Sequence, residues 1–160
     1  MYPMKKVMIT FFVILVVAAI AVGALFLKPL FETPKRQTVS INGKNFEVEI
    51  ADTMATRAQG LSGRDGLGED KGMLFIFGKP GMNGFWMKDM KFPLDMIWIN
   101  GDKILGFSEN VQPEPAKSIF SLKVYYPPSP ADKVLEVNAG TVATYGFKAG
   151  DQVKFDIPAQ

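Results

Sequence analysis

The sequence predicts a mainly β domain, built as an antiparallel sandwich or a rolled barrel with one or two short helices and preceded by one transmembrane helix. Short segments of alternating apolar and polar residues recur along the chain, separated by turn residues such as Asn42-Gly43 and Asn100-Gly101. The intervals between these segments are too short for the helix of about ten or more residues that usually joins parallel strands. Many short strands joined by turns are typical of antiparallel sandwiches and barrels.

The transmembrane helix is predicted at residues 7–27, an apolar run without a single charge that follows Lys5 and Lys6. At about 1.5 Å per residue, a helix of this length crosses a hydrocarbon layer of about 30 Å. A cleaved signal peptide is the alternative, because signal peptides also begin with positive charge and end in small residues. The run is longer than the apolar core of about 7 to 15 residues found in signal peptides, which favours an uncleaved anchor.

The anchor sets the predicted organisation of the chain. Residues 1–6 form a short tail that is expected in the cytoplasm, and residues 28–37 form a polar stalk with two prolines. Residues 38–157 form one β-rich domain outside the cytoplasmic membrane. The predicted location is therefore the cell membrane, with a single pass and an extracytoplasmic domain.

Strands and helices can be assigned along the domain from its alternation and turn residues. The pair Asn42-Gly43 joins the first two strands. Asp52 is predicted to cap a short helix that ends at Gly60, and a second short helix is predicted at 139–146. The later strands are predicted at residues 73–77, 85–90, 94–99, 103–109, 121–126, 133–137 and 152–157.

The composition excludes several kinds of site. Without Cys the chain has no disulfide and no thiolate nucleophile, and without His it lacks the Ser-His and Cys-His catalytic arrangements and the common zinc sites. No cofactor or metal is expected. Lys5, Lys6 and Lys28 flank the anchor, which leaves 18 − 3 = 15 basic residues against 16 acidic ones. A domain close to neutrality does not predict nucleic-acid binding, which needs a clustered basic face.

Five motifs, in order along the chain, resemble the domain-of-unknown-function family 192. They are RAQGLSGRDGL, GMLFIF, FWMKDMKFPLDMIWIN, VLEVNAGT and GFKAGDQV, and the resemblance covers essentially the whole domain, residues 38–157. It implies a compact, mostly β domain that is often exported or anchored by an N-terminal hydrophobic segment. It implies no activity, ligand or catalytic residue. Many members of the family have Asn at the position of Asp89, so the resemblance does not support a mechanism that needs a carboxylate there.

Two carboxylates stand in apolar strands, Asp95 in PLDMI and Glu136 in VLEV. A buried carboxylate is costly unless it is paired, and Arg57 and Arg64, near the first short helix and its loop, are the predicted partners. The structural interpretation is a set of ion pairs that join this helix to the sheet. The functional interpretation is a cleft in which Arg57, Arg64 or Lys88 holds an anionic ligand, such as a carboxylate or an acidic sugar.

An acid/base pair for glycan or ester hydrolysis is a further hypothesis. Glycoside hydrolysis needs two carboxylates about 5 to 9.5 Å apart across a cleft. Asp89, Asp95, Glu109 and Glu136 are the candidates, and Asp95 with Glu136 is the pair named for this alternative. No spacing in the sequence singles out one pair.

The methionines give a third hypothesis. Met73, Met82, Met87, Met90 and Met96 fall in one stretch of the chain, and soft thioethers can hold Cu(I) outside the cytoplasm. Methionine also fills apolar cores without any metal. Met87 and Met90 are expected on opposite faces of a strand, which favours the core interpretation over copper.

Aromatic residues are concentrated near the same stretch. Phe85, Trp86, Trp98, Tyr125 and Tyr126 would form a sugar-stacking or partner-binding platform if they reached the surface together. Aromatic residues on paired strands more often belong to the core. Trp86 and Trp98 are therefore expected to pack against each other.

These observations predict a non-catalytic binding or accessory protein of the cell envelope. The expected partners are the membrane, through residues 7–27, and an anionic small molecule, a glycan or an envelope protein. The alternatives are the carboxylate-based hydrolase and the Cu(I) site. The predicted cleft is lined by Arg57, Arg64, Trp86, Lys88, Asp95 and Tyr126, with Glu136 as a further candidate.

Overall fold

Strands dominate the computed structural model, which describes residues 37–114 and 121–156. The predicted anchor at 7–27 lies outside these residues, and within them no helix is long and apolar enough to span a membrane. The elements are β1 Gln37–Ile41, β2 Lys44–Ala51, α1 Met54–Gln59, β3 Lys71–Gly81, β4 Leu94–Asn100, β5 Lys103–Val111, β6 Ala131–Asn138, α2 Thr141–Tyr145 and β7 Val153–Asp156.

The strands form one curled sheet in the order β5-β4-β6-β3-β2-β1-β7. Its two edge strands approach each other at one end. There Lys103 bridges Gln152, the Ile104 amide donates to the Asp151 carbonyl at 3.0 Å, and the Gly150 amide donates to the Ile104 carbonyl at 2.8 Å. The sheet is therefore a half-barrel, which confirms the predicted mainly β fold and its rolled form.

One strand pair departs from the predicted antiparallel arrangement. β2 and β3 are parallel, with Val48 opposite Gly72 and Ile50 opposite Leu74, whereas the other neighbouring strands of the sheet are antiparallel. The connection, residues 52–70, combines α1 with a glycine-rich loop. This parallel pair differs from the predicted antiparallel arrangement because a crossover needs only enough chain to return along the sheet, and a short helix followed by a loop provides it.

The sheet buries apolar side chains on both faces. The inner face closes around a core to which every strand and α2 contribute: Val39, Ile41, Phe46, Val48, Leu74, Ile97, Ile99, Ile104, Leu135, Val137, Val142, Phe147 and Val153. The outer face of β3, β4 and β6 is covered by the chain after α1 and by residues 83–93. This outer core contains Ala51, Leu61, Met73, Phe75, Met87, Met90, Leu94, Met96, Trp98, Val111 and Val134.

The predicted hairpin at Asn42-Gly43 is confirmed. Both residues have positive φ, 50° and 84°, as the tight turn between right-twisted strands requires. The first helix ends at Gly60, as predicted, but its N-cap is Thr53 rather than Asp52. Thr53 takes this position because its hydroxyl and that of Thr56 accept from each other's backbone amides.

Two predicted strands do not form. Residues 85–90 and 121–126 meet only in an isolated bridge between Phe85 and Tyr125. Asp89 has a φ of 56°, and the Met90 amide donates to the Met87 carbonyl at 3.3 Å, so the chain turns here. The turn places Met87 and Met90 in the same core instead of on opposite faces of a strand. Both side chains thereby bury apolar surface on the outer face of the sheet.

Candidate functional site

The outer face of the sheet carries a cleft of about 270 Å³ between α1, the loop that follows it and residues 83–90. The capping box at Thr53 and the left-handed Gly60, with φ of 50°, fix the two ends of α1 and so set this wall. The apolar part of the lining consists of Met54, Ala58, Leu61, Phe75, Phe77, Phe85, Trp86, Met87 and Met90. The polar side chains of the lining are Arg57, Gln59, Ser62, Asn83 and Glu136.

Glu136 lies on β6, at the floor of the cleft. In the register of the sheet it stands between Met73 on β3 and Met96 on β4, and its side chain is on the outer face, like that of Val134. The residue is only 4% exposed, and no other residue that the structure describes donates a hydrogen bond to its carboxyl group. Glu136 is nevertheless one of the residues that line the cleft.

The environment of Glu136 changes its ionisation. Burial raises the pKa of the Glu136 carboxyl from its ordinary value of 4.5 to about 8, because the apolar surroundings disfavour the charged form. At pH 7 the group is therefore mostly a neutral carboxylic acid. A neutral carboxylic acid can donate a hydrogen bond as well as accept one.

Asp95 is also buried but is fully paired with backbone. Its Oδ1 accepts from the Asn110 amide at 2.7 Å and its Oδ2 accepts from the Val142 amide at 2.9 Å. Val142 lies in the first turn of α2, whose own N-cap, Gly140, offers no side-chain cap. Asp95 thus caps α2 from β4 and joins it to β5, which is a structural role.

The two carboxylates do not form a pair. Met96 is opposite Glu136 and Asp95 is opposite Val137, so neighbouring positions alternate between the faces of the sheet. Asp95 is on the inner side with Val137, and Glu136 is on the outer side. An acid/base mechanism that uses both groups has no geometric basis in this fold.

Arg57 lines the cleft but forms no ion pair with Asp95 or Glu136. Its Nη1 donates to the Ile76 carbonyl at 2.9 Å and also to the Asp52 carbonyl. Its guanidinium lies 5.3 Å from the centre of the Phe77 ring, in a cation–π contact. Arg57 therefore joins α1 to β3 and keeps one cation at the rim of the cleft.

Arg64 and Lys88 lie outside the lining of the cleft. The guanidinium of Arg64 forms a two-pronged ion pair with Glu49 on β2, with 2.9 Å between Nη2 and Oε2, and this hydrogen bonding lowers the pKa of the Glu49 carboxyl. Lys88 pairs with its neighbour Asp89, with 2.7 Å between Nζ and Oδ2. A structural ion pair between loop and sheet was predicted for Arg64, but Glu49 replaces the predicted partners.

Trp86 and Tyr126 are exposed, by 50% and 57%. Trp86 lines the cleft. The predicted contact between Trp86 and the buried Trp98 was wrong, because Phe85 packs on Trp98 instead, at 5.5 Å between ring centres. Tyr126 lies at the rim, next to Gly84. The two residues are so close that a Cβ added to Gly84 would come within 3.0 Å of the Tyr126 ring. Four large apolar side chains are exposed at this mouth: Met54 and Trp86 belong to the lining, and Val124 and Tyr126 lie against Gly84.

The structure brings three of the seven predicted site residues together, namely Arg57, Trp86 and Glu136. Sequence reasoning missed the aromatic walls, above all Phe75 and Phe77. Their alternation with Met73 along β3 carried the signal, because residues two apart share one face of a strand.

Four of the five methionines of the predicted cluster surround Glu136. Met73 and Met96 flank it on neighbouring strands, and Met87 and Met90 line the cleft above it. Met82 is exposed. Among residues 37–114 and 121–156 no group of three or more acidic side chains could hold a metal ion.

Comparison with known proteins places this fold in a family. The family model of DUF192, described as an uncharacterized ACR, matches residues 37–155. The chain belongs to this family. That assignment confirms the resemblance seen in the sequence motifs, and it covers all of the curled sheet except its last residue, Asp156. A search of curated proteins found no match.

Two solved structures resemble this DUF192 domain. A protein of unknown function from Novosphingobium aromaticivorans is 34% identical, with a TM-score of 0.65, and the match covers 74% of this chain and 83% of that one. A protein from Sinorhizobium meliloti, provisionally assigned as a transcription regulator, is 33% identical, with a TM-score of 0.65, and the match covers 75% of this chain and 92% of that one.

Proposed function

We propose that this DUF192 protein is a non-catalytic ligand-binding protein of the cell envelope, and that the cleft over Glu136 is its binding site. The observation that carries the proposal is an almost fully buried carboxyl group that has no partner among the described residues and faces an open, mostly apolar cleft. A buried polar group without a partner costs folding free energy, and ligand sites commonly combine apolar walls with a few such groups.

The proposal assigns no catalysis to the cleft. Glu136 is the one carboxylate that the described residues contribute to the lining, and a single general acid without a second acid/base group does not complete a hydrolytic mechanism. Asp95, the partner that the hydrolase hypothesis names, is on the other face of the sheet and is held by two backbone amides. A role in binding is therefore better supported than a role in hydrolysis.

The envelope location rests on the sequence. The uncharged run at 7–27 is long enough to anchor the chain, and the stalk at 28–37 would hold the domain away from the bilayer surface. We propose a single-pass anchor with the cleft outside the cytoplasmic membrane. Membrane fractionation and protease accessibility in intact cells test this location, and a domain protected from external protease contradicts it.

A thermal-shift screen of the full chain in a nonionic maltoside detergent tests the binding site. A ligand that binds only the folded state raises stability by about 2.7 kcal/mol at a hundredfold excess over Kd. The matched variants are Ala58→Phe, which fills the cleft from α1, and Ala55→Phe, which adds the same ring to an exposed position of the same helix outside the lining. Ligands should stabilise wild type and Ala55→Phe but not Ala58→Phe. Ligands that stabilise all three proteins equally bind elsewhere and contradict the proposal.

Cu(I) binding is a second candidate, because four thioethers gather around Glu136. Two of them, those of Met87 and Met90, line the cleft with the carboxyl group. Thioethers are soft ligands of the kind that Cu(I) prefers. Calorimetry with Cu(I) under reducing conditions tests it, with Met82→Leu as the exposed control and Met87→Leu as the cleft variant. No heat from the wild-type protein removes this candidate.

A further inference from the structure

We propose that the cleft recognises a small organic ammonium ion, with Glu136 as its counter-ion and the aromatic walls around its alkyl groups. This inference rests on the proposed binding function of the cleft and names its ligand class. Three properties of the site support it: the arrangement of the rings, the missing partner of the carboxyl group and the volume of the cleft.

The rings meet at nearly right angles. Phe85 is edge-on to Phe75, with 4.9 Å between ring centres and 82° between planes, and edge-on to Phe77, at 6.3 Å and 84°. Trp86 adds a half-exposed indole at the mouth. Ring faces attract cations, and walls of aromatic rings are the usual way in which proteins bind alkylated ammonium groups.

Once it is ionised, the carboxyl group at the floor of the cleft favours a cation over an anion. Glu136 has no cation of its own among the described residues, so a ligand ammonium would supply the partner that the fold omits. Arg57 is the other charged side chain of the lining, and it is already engaged by two backbone carbonyls and by the Phe77 ring. An anionic ligand would gain little from this occupied guanidinium and would meet a carboxyl group at the floor.

The volume sets the size of the ligand. Small-molecule sites usually measure about 300 to 1,000 Å³, and this cleft, at about 270 Å³, lies just below that range. It therefore suits a compact group such as trimethylammonium with a short substituent. The thioethers of Met87 and Met90 give this group soft, adaptable apolar contacts.

Binding should be linked to a proton. Because burial raises the pKa of Glu136 to about 8, an ammonium ligand that binds below this pH must displace the carboxyl proton. Among the described residues, Met73 and Met96 are the neighbours of Glu136 on β3 and β4, and Arg57 lines the same cleft from α1. Lys88 and Asp89 lie in the segment 83–93 that covers the outer face of the sheet, and they form an ion pair with each other outside the lining of the cleft.

The test compares choline with 3,3-dimethylbutan-1-ol, its neutral isostere, by isothermal titration calorimetry on the full chain in maltoside detergent. At pH 8.5 choline should bind at least about tenfold more tightly than the isostere. Its affinity should fall about tenfold for each pH unit below 8, with release of about one proton, while that of the isostere should not fall. Equal affinity for the two compounds, or choline binding without proton release at pH 6.5, overturns the inference.

A pair of variants distinguishes the effect of Glu136 on choline binding from the effect of the overall charge of the domain. Glu136→Gln should lose the preference for choline and its pH dependence, whereas Glu69→Gln, at an exposed position outside the lining, should keep both. If Glu136→Gln does not fold, the choline and isostere comparison on wild type still decides. A Glu136→Gln protein that keeps the preference for choline contradicts the counter-ion role.

The ammonium group has two sources, a free small molecule and a lipid headgroup. Vesicles of phosphatidylcholine, with phosphatidylglycerol vesicles as the control, distinguish them, because a headgroup ligand would bind the first and be displaced by choline. If choline does not bind but Ala58→Phe abolishes the binding of other ligands, this inference is wrong and the proposed binding function is retained. If Ala58→Phe does not weaken the binding of any ligand, both proposals are wrong.

Discussion

Asp95 and Glu136 are both acidic, both buried in β-strands and almost adjacent in the sheet, yet their surroundings differ completely. Asp95 is 0% exposed and accepts two backbone hydrogen bonds. Glu136 is 4% exposed and accepts none from the described residues. Because side chains alternate across a sheet, one residue of difference in register moves a carboxylate from a structural position to one that lines the cleft.

Asp95→Asn tests the structural role. An Asn side chain can accept one of the two amide hydrogen bonds but turns a donor toward the other amide, so a buried N–H loses its partner. We expect a loss of about 2–3 kcal/mol in the free energy of unfolding, measured by urea denaturation. Asp65→Asn is the control, because its side chain is 94% exposed and pairs only with Lys91. A normal unfolding midpoint for Asp95→Asn contradicts the capping role.

Glu136 should make stability depend on pH. Its folded pKa, about 8, lies above its ordinary value of 4.5, so between these values the folded protein holds a proton that the unfolded chain has released. Stability should fall as pH rises through this window, by at most about 1.4 kcal/mol per pH unit, and level off above pH 8. In urea titrations at pH 5, 7 and 9, the stability of Glu136→Gln should not show this decrease with rising pH. Parallel curves for the two proteins would disprove the shift.

Single residues were predictable only in part. A charge inside an apolar strand drew attention to Asp95 and Glu136, because burial of a carboxylate is costly. Their partners were not predictable, since the amides that hold Asp95 are 15 and 47 positions away in the chain. Arg57 and Trp86 line the cleft, whereas Arg64 and Lys88 form ion pairs with carboxylates outside its lining.

At the scale of single elements, α1 forms one wall of the cleft with only six residues. So short a helix is unstable on its own and depends on its caps and its packing. It buries none of its residues completely, so the Thr53–Thr56 capping box and the Arg57 contacts with β3 hold it in place.

Thr53→Ala should therefore weaken both the domain and its binding site. Loss of an N-cap hydroxyl costs about 1 kcal/mol, and a frayed α1 would open the cleft. Urea denaturation gives the first effect and ligand affinity gives the second. Thr53→Ser keeps the capping oxygen and is the control. An equal effect of both substitutions would mean that the methyl group matters rather than the cap.

The elements show where local pattern was enough. The Asn42-Gly43 turn forms where the sequence predicts it, because positive φ at two successive residues is a local preference. The stretch FWMKDM has the composition of a strand, yet it turns at Asp89 and covers the outer core. Tertiary packing overrides strand propensity there, since Met87 and Met90 must both reach the same apolar face.

At the scale of the whole molecule, the mainly β class followed from turn spacing, but the mixed topology did not. The alternation of residues predicts that a strand exists and which face is buried, and it says little about which strand becomes its neighbour. The parallel neighbours β2 and β3 enclose α1 in their connection, and this crossover carries the helix to the outer face. The one parallel pair is thus the reason that the cleft exists.

The pairing of β1 with β7 also constrains the order of assembly. Val39 is opposite Phe155, so the first described strand completes its hydrogen bonds only with the last one. Contacts between distant parts of a chain form slowly during folding. During synthesis, one edge of β1 keeps its backbone hydrogen-bonding groups unpaired until residues 153–156 have been added to the chain. A chain interrupted before β7 would leave that edge free to pair with another molecule, which makes C-terminal truncation a route to aggregation.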